Sequence, residues 1–166
     1  MTNKEIDRFI RKYGGKDIDF YIDNDKTKKI PAVTYCFGKD KSTNKNIYVI
    51  VLKGKIFHDK KLPKEYLHAM ILHEIGHIKK NHFYRKMSKA KAEFEAQIWA
   101  ITKSIKYKLK LVKCYLIEIF LSWQTLSKHK NKYYYYVAFK KFSKVVGKES
   151  IDQWNNVVKN LAKNKI

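Results

Sequence analysis

The chain has 166 residues and a net charge of +22, with 45% hydrophobic and 14% aromatic residues. That length suits one domain with a real core, and the hydrophobic share is globular rather than disordered. Cys36 and Cys114 offer neither a metal-binding spacing nor a disulfide framework. The residues after Met1 lack the charged-then-apolar pattern of a secretory leader, so a reducing cytoplasm is the expected compartment.

In chain order, the pattern predicts an opening helix over residues 3–13, ended by Gly14 and Gly15. Residues 33–37 and 47–52 are rich in β-branched and aromatic side chains, and the polar stretch 38–46 between them reads as a hairpin loop. Gly54, Ile56 and Phe57 suggest a third, shorter strand. Such a sheet offers an extended peptide an edge to pair with.

A helix is predicted over 63–80, opened by Pro63 and Glu65, with apolar residues recurring at Leu67, Ile71, Ile75 and Ile78. It contains His73-Glu74-Ile75-Gly76-His77. Two histidines four residues apart project from one helix face and can grip one metal ion, and the glutamate between them is placed to act on a water at that metal. Zinc suits neutral imidazoles, and a catalytic zinc keeps three protein ligands and one open position. Gly76 costs such a helix about 1 kcal/mol relative to alanine, which is tolerable where something packs closely on that turn.

The third ligand is expected from the next helical stretch, Glu93-Phe94-Glu95-Ala96-Gln97-Ile98-Trp99-Ala100. Phe94, Ile98, Ile101 and Ile105 are expected to form its apolar stripe. Glu93 and Gln97 share a face four residues apart, with Glu93 as ligand and Gln97 within reach of a metal-binding histidine. Glu95 lies about 200° round the helix from Glu93 and should face elsewhere, as a solvated carboxylate.

His-Glu-Ile-Gly-His-Ile-Lys-Lys-Asn-His followed by Glu-Phe-Glu-Ala-Gln-Ile-Trp-Ala resembles the gluzincin pattern HExxH…ExxA[DN]x[FWY]A of HtpX-like proteases, minigluzincins and ImmA/IrrE metallopeptidases. The resemblance covers residues 30–105. It implies that His73 and His77 are zinc ligands, Glu93 is the third and Glu74 is the general base. Gln97 departs from it, standing where those families carry Asp or Asn; glutamine accepts a hydrogen bond from imidazole but brings no charge. The membrane helices of the HtpX-like enzymes are missing, which favours the soluble relatives.

His82 falls five residues after His77, without the glycine and six-residue spacing of a third metzincin histidine, and is expected to be an exposed helix end rather than a ligand. His58, His68 and His129 have no partner pattern and read as surface or satisfied core positions. Residues 109–126 are mostly apolar but interrupted by Lys113 and Glu118, which marks a core helix and not a membrane span. Two more helices are expected over 133–146 and 150–162, the second opened by a Ser150/Gln153 capping box. Nothing in the pattern identifies an oxyanion-stabilising group, although tyrosines such as Tyr133, Tyr134, Tyr135 and Tyr136 are plentiful.

The expected architecture is therefore α+β: a small antiparallel sheet packed on the HExxH helix and the glutamate-bearing helix, followed by a helical carboxy-terminal region. One domain spans 1–166, with a zincin core over about 1–108 and a basic helical extension over about 109–166. The expected function is peptide-bond hydrolysis by Glu74-assisted attack of water held on a single zinc ion, on a protein or peptide substrate that includes a regulatory protein, without membrane insertion. The charge supports a competing reading. The last 66 residues carry fifteen basic against three acidic residues, and such surfaces attract phosphate backbones. Only Arg8, Arg11 and Arg85 are arginines, so any nucleic-acid contact through these lysines would be non-specific. The alternative is a basic, nucleic-acid-associated module with a non-catalytic zinc site; a structural zinc usually has four ligands, and only three are in sight.

Overall fold

The computed structural model describes residues 1–25, 31–124 and 133–140, with 143–144, 147–148, 151–152 and 156 beyond them. The fold is α+β, and the chain divides into two compact units, Met1–Arg85 and Lys86–Ile166.

The first unit opens with α1 (Asn3–Tyr13). Thr2 and Glu5 form a reciprocal capping box: Thr2 N–H donates to Glu5 Oε2 at 2.9 Å and Glu5 N–H to Thr2 Oγ1 at 3.3 Å. The helix stops where Gly15 turns left-handed at φ 114°, and Gly14 just before it has no room for a side chain. A Cβ there would lie 2.7 Å from Ile18 Cδ1 and 3.3 Å from Ile75 Cδ1. Three strands follow: β1 (Ile18–Asp23), β2 (Ala32–Lys39) and β3 (Asn46–Lys53), in spatial order β1-β3-β2.

The expected hairpin is β2–β3, antiparallel, with Thr34 opposite Ile50. The third strand differs from expectation. Gly54, Ile56 and Phe57 belong to a single helical turn, α2 (Gly54–Phe57), and β1 takes the third place, pairing parallel to β3 with Phe20 opposite Ile50. The sheet is thus mixed. Phe57 is fully buried from that turn, so its apolar character is met by helix packing rather than by a strand face.

Then comes α3 (Lys64–Lys79), with Pro63 at its N-cap. It packs on β2, β3 and α1. The core of this unit joins Ile6 and Ile10 of α1, Ile50 and Leu52 of β3, and Leu67, Ile71, Leu72 and Ile75 of α3, none more than 1% exposed. Each such side chain contributes roughly 1.5–3 kcal/mol through burial.

The second unit contains α4 (Lys89–Lys106) and α5 (Lys110–Ser122), which pack together, and residues 133–140 are helical. Ser88 caps α4, its Oγ accepting from Lys91 N–H at 3.3 Å. The buried face of α4 overlaps the expected stripe in part: Ile101 is buried, and Phe94 and Ile98 are half-buried. Ala90, Ala96, Gln97, Ala100, Ile101 and Ser104 are buried, whereas Ile105 is 60% exposed. The buried positions are mostly small side chains, which permit close helix packing, and Ile105 lies on the flank. Among the described residues, no helix is long and apolar enough to cross a membrane. His129, most of the expected 150–162 helix and much of the lysine-rich stretch behind the nucleic-acid reading lie outside the described residues.

Candidate active site

Three of the four expected site residues share α3. Residues four apart on a helix are separated by about 40°, and the two imidazoles converge accordingly: His73 Nε2 lies 3.2 Å from His77 Nε2, with the rings edge-on at 4.9 Å between centroids. A tetrahedral ion at the usual Zn–N distance spaces two nitrogens roughly 3.3 Å apart. The donor pair therefore fits zinc in both chemistry and separation.

Glu74, about 100° round the helix from His73, turns into the protein and is 8% exposed. A carboxylate so enclosed has to be hydrogen-bonded. The donor is Thr34 of β2, whose Oγ1 lies 2.8 Å from Glu74 Oε2 and 3.3 Å from the Glu74 carbonyl oxygen. Sequence reasoning missed Thr34. The available signal is modest: a hydroxyl at an inward strand position, opposite an isoleucine, in an otherwise apolar row.

His82 also differs from expectation. It is half-buried, and its Nδ1 lies 2.9 Å from His77 Nδ1, with the ring centroids 5.0 Å apart. The cause is the way α3 ends. Asn81 adopts φ 56°, its N–H donates to Ile78 O, and His82 N–H donates to His77 O. This is a Schellman stop with asparagine in the left-handed position, and such a stop stacks the residue after the turn onto the one five before it. His77 therefore directs Nε2 toward His73 and Nδ1 toward His82, placing His82 beside the imidazole pair. The Asn81 after the apolar run was the signal that could have revealed it.

Further along the same loop, Tyr84 donates to Asn46 Oδ1 at 2.8 Å and lies 3.1 Å from Cys36 Sγ. The hydrogen bond with Cys36, reinforced by desolvation, pushes the phenol up to about 12. Of the tyrosines considered for oxyanion stabilisation, Tyr135 packs on Trp123 at 4.7 Å and Tyr134 lies under the Lys89 ammonium at 5.2 Å.

On α4, Glu93 is half-buried, and Glu95 pairs instead with Lys91 Nζ at 3.9 Å, its side chain 20% exposed. Gln97 is fully buried, and its Nε2 donates to the Leu116 carbonyl of α5 at 2.6 Å, tying the two helices together. Among the described residues, His73, His77 and Glu93 form the group able to hold a metal, one ligand atom from each lying within 4.8 Å of the others. His58, by contrast, is exposed with Nδ1 3.3 Å from Met1 O, and His68 stacks on Phe9 with centroids 3.9 Å apart.

Comparison with curated proteins and with solved structures finds no match. A family model does match, over residues 6–131, about three quarters of the chain and the whole stretch that holds these groups. With an HExxH helix, a converging imidazole pair and that match, the chain belongs to peptidase family M48, a family of zinc metallopeptidases.

Proposed function

We propose that the chain is a zinc-dependent endopeptidase of gluzincin type, in which His73, His77 and Glu93 hold one zinc ion and Glu74 is the general base. The observation that carries this reading is the imidazole pair 3.2 Å apart beside a buried glutamate on one helix. When bound, zinc supplies a Lewis acid that polarises a carbonyl and lowers the pKa of water toward ~7. Glu74 takes the proton released by the attacking water and hands it to the leaving amine. His82 holds the His77 ring in orientation through Nδ1.

The substrate is read as an extended peptide. β2 lies at one side of the three-stranded order and also carries Thr34, which touches the base. A peptide added as a further strand along β2 would run beside Glu74. The resemblance to ImmA/IrrE-type peptidases points toward a regulatory protein as the source of that peptide.

Glu74→Gln tests the reading. The amide cannot accept the proton, so turnover of a fluorescent casein should fall by at least ~100-fold while zinc content by metal analysis stays at the unmodified level. Unchanged turnover in a pure, zinc-loaded variant removes the catalytic assignment.

A further inference from the structure

A general base such as Glu74 acts only when its carboxylate is aimed. We propose that Thr34 is a positioning residue for that base, an inference that rests on the peptidase reading. Thr34 is 7% exposed and sits opposite Ile50, which in turn sits opposite Phe20, so the hydroxyl is the polar exception in an apolar row across the sheet. Valine would fill the same volume in a strand without a polar group to satisfy. What the hydroxyl adds is one hydrogen bond to a residue forty positions away, on another element.

The geometry gives that bond a specific consequence. A glutamate side chain has three rotatable torsions, the last of them broad. Thr34 fixes Oε2 at 2.8 Å and meets the backbone carbonyl of the same residue at 3.3 Å, so both ends of Glu74 are referred to one hydroxyl. The hydroxyl is itself held firmly, because threonine is stiff at χ1 and β2 is laddered to β3 at this position. With Oε2 engaged, Oε1 is the oxygen presented for proton transfer. Proton transfer depends steeply on such alignment, and small misplacements cost one to two orders of magnitude in rate.

Thr34→Val and Thr34→Ser test this on the full chain. With zinc loaded and fluorescent casein as probe, Thr34→Val should lower kcat by about tenfold, with KM within about twofold and metal content unchanged, while Thr34→Ser restores kcat to within about threefold. A second readout needs no turnover. In the metal-free protein, urea unfolding of Thr34→Val, Glu74→Leu and the double variant should be non-additive by about tenfold in the unfolding constant, the size of one buried bond to a charged group. Additivity overturns the contact. Coupling with an unchanged kcat in Thr34→Val makes the bond purely structural and overturns the positioning role. If the unmodified, zinc-loaded protein cleaves nothing, the peptidase reading fails and takes the role with it, while the unfolding cycle still reports whether the two side chains are joined.

Discussion

α3 and α4 have similar lengths, sixteen and eighteen residues, but bury themselves differently. On α3 nine positions are buried, from Leu67 through Ile75 to Ile78, and at about 100° per residue they are spread round the helix, on which β2, β3 and α1 pack. On α4 six are buried, and apart from Ile101 and Gln97 they are alanine or serine. α3 buries mostly large apolar side chains, whereas α4 buries mostly small ones and is tied to α5 by the Gln97–Leu116 hydrogen bond. A helix packed on every side has little freedom to turn, so the His73, Glu74 and His77 directions are set by the core. Around α4, the face chosen by Glu93 depends on a narrow strip of small residues.

The largest expected effect separates the two carboxylates of α4. On the proposed three-ligand site, Glu93→Ala should weaken zinc binding by about 1,000-fold, roughly a third of a binding free energy of ~10–16 kcal/mol. Glu95→Ala, at a position that pairs with Lys91, should stay within a few fold. Zinc titration of the metal-free protein measures both, and release of zinc on losing Glu95 would mean that α4 is rotated.

Next come the two modes of packing. Ile75→Ala on α3 should cost about 2–5 kcal/mol through the cavity it leaves. Ala96→Leu on α4 should cost about 1–3 kcal/mol through overpacking. Ile105→Ser, at a 60% exposed position, should stay within about 0.5 kcal/mol. Chemical denaturation ranks the three, and a costly Ile105→Ser would restore the face predicted from large residues alone.

A smaller effect belongs to α3 alone, because α4 carries no histidine. Burial against Phe9, with the Lys64 ammonium nearby, lowers His68 to about 4. Between pH 6.5 and 4 the unfolded chain binds a proton that the folded state excludes, so this contribution is complete above pH 6.5 and is lost as pH falls toward 4. Solvent screening at this half-buried ring discounts the full linkage value, so about 2 kcal/mol should disappear across that window. Urea midpoints at several pH values should show the slope in the unmodified protein and a shallower one in His68→Phe.

What was legible in the sequence follows from the range of the interactions. The opening helix carries its own capping box and glycine stop, and its limits match Asn3–Tyr13. The β2–β3 hairpin and the HExxH helix are likewise specified by local pattern. β1 was not legible, because its partner is β3, beyond β2 in the chain, and Asp19 and Asp23 disguise its alternation. The Thr34–Glu74 bond spans forty residues and leaves no periodic trace. The face of α4 is legible only in part, because pattern reading weights large apolar groups, whereas four of its six buried residues are alanine or serine.

The register irregularity between Cys36 and Lys39 in β2 bears on solubility. A strand at the end of a sheet, carrying Tyr35 at 48% and Phe37 at 68% exposure, is the kind of surface along which identical chains add to one another. Gly38, at φ 97°, breaks the ladder immediately after those rings, and Lys39 follows with a charge. Interrupting the ladder and charging its end are established defences against edge-to-edge growth. The regular run before that break is short, and so poorly suited to template a stack of copies.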